Sequence, residues 1–228
     1  MKKLSEKQRK VLEKIVKSGI TKEGFYLAGG TALALKYNHR VSEDFDFFSE
    51  TFSKDFFLHY LSAFQKECDL KVEVFKDDTL IFFLEGVKCS FFYYPYKLIK
   101  PVKKISLYEE EHDDYITVAS DEDIAGMKTI AIIQRGTKKD FYDLWFLMKI
   151  HNWSLNRIKE ICKAKYGNLF PESAFERAII YFEDAEKESF PEIDPLWEEI
   201  KAFFINVIKR SDSLGVNNKN IAPESKNS

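Results

Sequence analysis

Residues 25–48 read Phe25-Tyr26-Leu27-Ala28-Gly29-Gly30-Thr31-Ala32-Leu33-Ala34-Leu35-Lys36-Tyr37-Asn38-His39-Arg40-Val41-Ser42-Glu43-Asp44-Phe45-Asp46-Phe47-Phe48. The apolar run Phe25 to Ala28 stops at Gly29-Gly30-Thr31 and passes into Ala32 to Tyr37, which is rich in good helix formers. This pattern predicts strand, tight turn and helix. The two glycines let the backbone bend sharply and approach a ligand, and the Thr31 hydroxyl can cap the helix. Beyond Asn38-His39-Arg40, the segment 44–48 alternates acid with aromatic. It predicts a second strand with Asp44 and Asp46 on one face and Phe45 and Phe47 on the other, one face for chemistry and one for the core.

Working outward, residues 4–18 place Leu4, Val11, Leu12, Ile15 and Val16 at helical spacing, and 53–67 carry Phe56, Phe57, Tyr60, Leu61 and Phe64 on a broad apolar stripe. Three strand-like runs follow at 71–76, 79–85 and 88–94. Asp77-Asp78 and Gly86-Val87 separate them by hairpin-sized gaps, which predicts an antiparallel meander joining the earlier strands in one sheet. From Asp121 the pattern is helical: 121–134, 137 or 138 to 150, 154–166, 171–188 and 194–209. The expected fold class is α+β, a mixed or antiparallel sheet with flanking helices followed by a C-terminal helical domain. Its expected divisions are a core with the N-terminal helix over 1–105, a helical part contributing to the site over 106–210, and a disordered tail over 211–228, which is poor in apolar periodicity.

The 228 residues are 45% hydrophobic and 15% aromatic, enough for a sizeable core in one domain or two small ones. Lys+Arg 35 against Asp+Glu 37 gives a formal charge of -2, which excludes recruitment of nucleic acid or an acidic membrane by a global positive field. Cys68, Cys89 and Cys162 have neither the count nor the spacing of a disulfide framework or zinc site. With no apolar leader region and no run long enough to span a bilayer, the expected location is the cytoplasm.

Two carboxylates at i and i+2 on a strand project side by side and can share divalent cations, and hard oxygen ligands suit Mg or Mn. Against this stands the plain reading of Asp44 and Asp46 as two solvated acids. The context favours chemistry, because Gly29-Gly30-Thr31 lies at a strand-to-helix turn where backbone amides attract a phosphate. A phosphate cradle joined by one helix to a pair of metal-binding acids provides both halves of a nucleoside triphosphate site. Arg40 could reach a phosphate or fix the loop ahead of Asp44, and Ser42 could orient a carboxylate or cap the loop. His39, His59, His112 and His151 show no zinc-binding spacing.

This compound pattern resembles the signature of the DNA polymerase beta-like nucleotidyltransferase superfamily, and more narrowly that of the AbiEii toxin family. The corresponding residues are Gly29 to Leu33, Arg40 to Asp46, Lys128, and Lys139-Asp140-Phe141-Tyr142-Asp143. The resemblance implies a nucleotidyltransferase core, Asp44 and Asp46 as metal ligands, and Gly29, Gly30 and Thr31 as phosphate holders. It further implies Lys128 on a nucleotide phosphate, Asp140 as a site acid opposite the sheet, and Asp143 as partner of Lys139 or a neighbouring base. From the residues alone, Lys128 is an ordinary solvated or salt-bridged lysine, and Asp140 sits in a first helical turn where it offsets the dipole.

Superfamily members that transfer nucleotides carry a third carboxylate on a later strand, whereas 88–94 reads Lys88-Cys89-Ser90-Phe91-Phe92-Tyr93-Tyr94 with no acid. Glu73, Glu85 or Asp140 are the candidates to replace it. Phe82, Phe83, Phe91 and Phe92 are expected in the core, with base stacking as the rival reading. The lysine-rich stretches 97–104 and 128–139 are candidate RNA-backbone contacts or solvated faces. The functional expectation is a metal-dependent nucleotidyltransferase moving a nucleoside monophosphate from a triphosphate to an acceptor hydroxyl. The resemblance adds an RNA such as a transfer RNA end as acceptor, a toxin role in a toxin-antitoxin or phage-defence system, and an antitoxin partner. The competing expectation is a catalytically weak nucleotide- or RNA-binding module.

Overall fold

The computed structural model describes residues 4–107 and 115–219; His112 and 220–228 lie outside them. The chain separates into two compact units, Met1–Ile124 and Ala125–Ser228.

The first unit opens with helix α1, Glu6–Lys17, capped by Ser5 and Gln8 bonding each other's main-chain amides. Strand β1, Tyr26–Ala28, runs directly into helix α2, Gly29–Tyr37, and strand β2 is Phe45–Ser49. Helix α3, Lys54–Gln65, precedes the meander β3 (Leu70–Phe75), β4 (Thr79–Leu84) and β5 (Val87–Tyr93). Two further strands, β6 (Lys103–Ser106) and β7 (Tyr115–Val118), complete a seven-stranded sheet of order β3-β4-β5-β2-β1-β7-β6. β2 runs parallel to β5, and β1 parallel to β7, while the other neighbours are antiparallel. The sheet is therefore mixed, as the sequence predicts.

The sequence reading places the start of the helical part at 106. Instead β7 belongs to the sheet, and the units divide at 124/125. Four-residue strands carry too little periodicity to be told from loop, and the two lysines of β6 suit an edge strand that must not recruit another chain. The hairpin between β4 and β5 also turns one residue earlier than expected. Glu85 and Gly86 both adopt positive φ, +51° and +69°, while Leu84 pairs with Val87. That is the backbone of a two-residue type I′ turn.

One face of the sheet is the core of this unit. Phe45 and Phe47 of β2, Phe82 of β4 and Phe91 of β5 are fully buried there, with Phe47 and Phe82 stacked on Phe91 at 4.7 and 5.7 Å. Phe57 of α3 adds its edge to Phe25, 5.4 Å away. Truncating Phe47 to Ala should cost about 3–5 kcal/mol of stability, read from urea unfolding, because a buried aromatic leaves a cavity this packed layer cannot refill. Only two of the four phenylalanines expected in the core belong to it. Phe83 and Phe92 stand half-buried on the opposite face, since strand neighbours alternate.

The second unit continues helix α4, Asp121–Gln134, with α5, Lys138–His151, and α6, Leu155–Tyr166. Residues 171–188, expected as one helix, form α7 (Glu172–Ala178) and α8 (Glu183–Glu186) with a break between them. Helix α9 spans Trp197–Lys219, reaching into the stretch expected to be a disordered tail. Phe141 of α5 centres the packing, 5.9 Å from the Trp197 ring and 5.7 Å from that of Phe204.

Candidate active site

The site in the first unit is assembled by main-chain pairing. β1 and β2 lie antiparallel with Ala28 opposite Asp46, so the residue that leads into the glycine bend stands beside the second acid. Gly29 has φ +71°, a conformation other residues rarely adopt, and a Cβ placed on it would meet Asp46 Oδ2 at 3.9 Å. Asp46 therefore points toward the bend. Asp44 is exposed and immediately precedes β2, and its main-chain oxygen accepts a hydrogen bond from Thr31 Oγ1. Burial raises the pKa of the Cys89 thiol on β5, and the charges of Asp46 and Asp44 push it up further, so the fields of both acids reach the same point.

α2 begins on Ala28 in extended backbone with no side-chain cap. Its first-turn amides consequently lack intrahelical acceptors, and Gly29 and Gly30 are half-open to solvent. Here the expectation for Thr31 is corrected. It sits inside the helix, 2% exposed, with its hydroxyl 2.8 Å from Ser42 Oγ and bonded to the Asp44 carbonyl. The hydroxyl ties the bend to the acidic loop instead of capping the helix, and only the main chain of Thr31 remains to meet a phosphate. Ser42 likewise bonds Thr31, not a carboxylate.

Arg40 is 3% exposed and donates through Nη1 to Val41 O at 2.9 Å. Its guanidinium lies against Gly30, where an added Cβ would fall 2.2 Å from Nη2 and 3.1 Å from Ser42 Oγ. Gly30→Ala must therefore displace the arginine. It should lower the melting temperature, measurable by thermal melts. Sequence reading missed Gln8, whose Nε2 donates to Ser42 O at 2.7 Å and Glu43 O at 3.1 Å, pinning the loop from α1. It also missed Asp121, which holds Lys36 Nζ of α2 at 2.7 Å and the Tyr37 hydroxyl. Gln8 is legible locally only as the N3 residue of the α1 capping box and Asp121 only as a first-turn acid of α4; their links to the loop and to α2 come from the fold.

The strand partner of Asp46 across β2 and β5 is Ser90, so a serine occupies the register position beside the second acid. Of the carboxylates considered as replacements, one is remote and one is held by a lysine. Glu73 lies on β3, three strand spacings or about 14 Å from β2. Glu85 sits in the β4–β5 turn, bound to Lys14 at 3.0 Å. Among the described residues no group of three or more His, Cys, Asp or Glu is arranged to hold a metal ion. Two carboxylates nevertheless fit Mg, which takes one or two protein carboxylates and completes its shell with water and substrate phosphates.

The second unit gathers Lys128, Asp140 and Asp143. Lys128 Nζ lies 2.8 Å from Asp140 Oδ1 and 2.7 Å from Asp143 Oδ2, and both acids are 0% exposed. Asp140 also accepts from Arg135 Nε and Nη2 at 2.8 and 3.0 Å and from Thr137 Oγ1 at 2.6 Å. Burial by itself raises the Asp140 pKa, but the Lys128 charge and the Arg135 hydrogen bond outweigh it and hold the carboxyl well below the usual range. The expected partner of Asp143 is thus a neighbouring base, Lys128. Lys139 instead lies over the Phe190 ring at 4.4 Å. Asp140, buried and engaged on both oxygens, positions Lys128.

The model of the AbiEii nucleotidyltransferase toxins of type IV toxin-antitoxin systems matches residues 11–88 and 93–210. The chain belongs to the AbiEii family. An uncharacterized protein of Aquifex aeolicus (strain VF5) is 46% identical over 211 residues, 92% of this chain and 98% of that protein. Among solved structures, a provisionally assigned nucleotidyltransferase from Helicobacter pylori aligns over 92% of this chain and 99% of its own, with TM-score 0.54 and 19% identity. MenT4, a nucleotidyltransferase toxin from Mycobacterium tuberculosis H37Rv, aligns over 82% and 75% with TM-score 0.54 and 13% identity. At such identities the likeness is one of fold. In this AbiEii protein the family landmarks fall where the structure makes its two polar clusters, around Gly29 with Asp46 and around Lys128 with Asp140. No helix among the described residues is long and apolar enough to cross a membrane.

Proposed function

We propose that this nucleotidyltransferase-family chain moves a nucleoside monophosphate from a triphosphate to an acceptor hydroxyl. One observation carries the reading: the Asp46 carboxylate is directed at the Gly29 bend where an uncapped helix begins. A polyanion held on those amides would lie beside two carboxylates, an arrangement that a divalent cation makes favourable. Asp44 and Asp46 are the residues that would hold Mg or Mn, which supplies Lewis-acid polarisation of the phosphates and neutralises developing charge. The first-turn amides of α2 orient the triphosphate, and Thr31, Ser42 and Gln8 keep the acidic loop in register with them. In the transfer the acceptor oxygen bonds to the α-phosphorus as the bridging P–O bond breaks. Pyrophosphate leaves with the electron pair, and the hydroxyl proton passes to solvent, since Ser90 rather than a carboxylate stands beside Asp46.

RNA is the acceptor class we favour, in a cytoplasmic toxin held in check by an antitoxin protein. The test is incubation of the full chain with each α-labelled triphosphate, Mg or Mn, and total cellular RNA or protein. Label on RNA supports the reading. Triphosphate that binds without label reaching either polymer would instead establish a regulatory binding module, the alternative that the serine at position 90 favours.

A further inference from the structure

The face of the sheet that carries Asp46 continues beyond the site as three rows of laterally paired residues. The middle row runs from Ala28 through Asp46 and Ser90 to Ile81 and Val74. On one side of it, Phe48 pairs with Phe92, their rings 5.4 Å apart. On the other side Lys71, Phe83 and Lys88 stand abreast on β3, β4 and β5. Lys88 directly precedes Cys89, the register partner of Phe45, so this last row ends alongside Asp44. Phe83, Ile81 and Phe92 are half-buried, whereas Phe82 and Phe91 on the reverse face are fully buried.

We propose that the Lys71, Phe83, Lys88 row, with Ile81 beside it, is the platform on which a single-stranded nucleic acid acceptor docks. Its bases stack on Phe83 and its phosphates meet the two lysines. This rests on the transferase reading of the adjoining site, and it adds where the acceptor lies and what holds it. An aromatic ring set between two cations is the composition of a single-strand platform, where stacking is sequence-tolerant and charge tracks the backbone. A protein-binding patch is built differently, with lysine depleted at its centre. The lysines stand two strand spacings apart, about 10 Å, and neither makes an ion pair among the described residues. The one acid on the adjoining β3, Glu73, falls at the irregularity between Val72 and Val74, outside these paired rows. The platform is continuous with Asp44 and Asp46, so a chain end crossing it arrives at the acids.

The test is fluorescence anisotropy of a short labelled single-stranded RNA with the full chain across a salt series, next to calorimetric titration of Mg-triphosphate. Lys71→Gln with Lys88→Gln should reduce the log–log salt slope by about 1.4, roughly 0.7 per lost phosphate contact. Phe83→Ala should weaken RNA binding about 5- to 100-fold, the loss of one stacked base, and Phe83→Trp should restore it. Lys71 is exposed and Lys88 half-exposed, and Gln keeps most of the stem of each, so the lysine result stands even where Phe83→Ala loosens the sheet. Triphosphate affinity should not change in any of them. RNA affinity and salt slope equal to wild type, or loss of triphosphate binding in place of RNA binding, would overturn the platform. Label transfer to RNA unaffected by these variants would remove the platform and leave the transferase reading intact. RNA binding that depends on the platform, without label transfer by wild type, would remove the transferase reading and leave the platform.

Discussion

Asp46→Asn is expected to reduce nucleotide transfer by at least roughly 100-fold while leaving the thermal unfolding temperature nearly unchanged. The side chain is half-buried and directed at the Gly29 bend, and the core layer on the reverse of β2 is made by Phe45 and Phe47. Loss of its charge removes one of two carboxylates beside the Gly29 turn, and groups placed where charge develops in a transition state are worth about two to three orders of magnitude in rate. Asn keeps the size and the hydrogen-bonding capacity of the side chain and leaves the packed aromatic layer untouched, so the fold is retained. The assay is label transfer with a parallel melt. A variant that transfers label as well as wild type, or one that melts far lower, would place Asp46 outside the site.

An effect on stability as large as that of Phe47→Ala is expected at the buried cluster of the second unit. In Lys128→Met the shared cation of Asp140 and Asp143 is gone, and both carboxylates are 0% exposed. Breaking a buried ion pair from one side costs about 3–5 kcal/mol, because the remaining charge keeps its desolvation penalty without its partner. The pH dependence follows from the depressed pKa of Asp140. The unfolded chain binds the proton more readily than the folded one, so this stabilisation is fully present above the ordinary value of 3.8. It is lost as pH falls from there through the folded value. Urea unfolding of wild type should therefore show stability falling over that acid range, and Lys128→Met should show a shallower fall. A loss under 1 kcal/mol with an unchanged acid limb would contradict the cluster as drawn.

The bend, the acidic strand and the meander were legible because each is written in local pattern: apolar residues halted at Gly29-Gly30, and acids alternating with Phe45 and Phe47. What the sequence could not show was long-range pairing. Ala28 opposite Asp46, Ser90 beside it, and Gln8 reaching Ser42 join residues far apart in the chain, and no spacing rule encodes them. Thr31 misled because a threonine after two glycines looks like a helix cap, whereas the helix begins at Gly29 and leaves the hydroxyl free to bond the loop. Lys128, Asp140 and Asp143 were visible as charges at helical spacing, but their burial and mutual pairing appear only once α4 and α5 pack. The phenylalanines split between the two sheet faces by strand alternation, which requires strand ends placed to within one residue.

The central claim is that the Gly29 bend and the two acids together bind a metal-bound triphosphate. Calorimetric titration of a non-hydrolysable triphosphate into the full chain, with and without Mg, tests it most directly when repeated on the Asp44→Asn, Asp46→Asn double variant. Binding that requires Mg in wild type and disappears in the folded double variant is the predicted result. Binding of equal strength in both proteins, or none in wild type with Mg present, would contradict it.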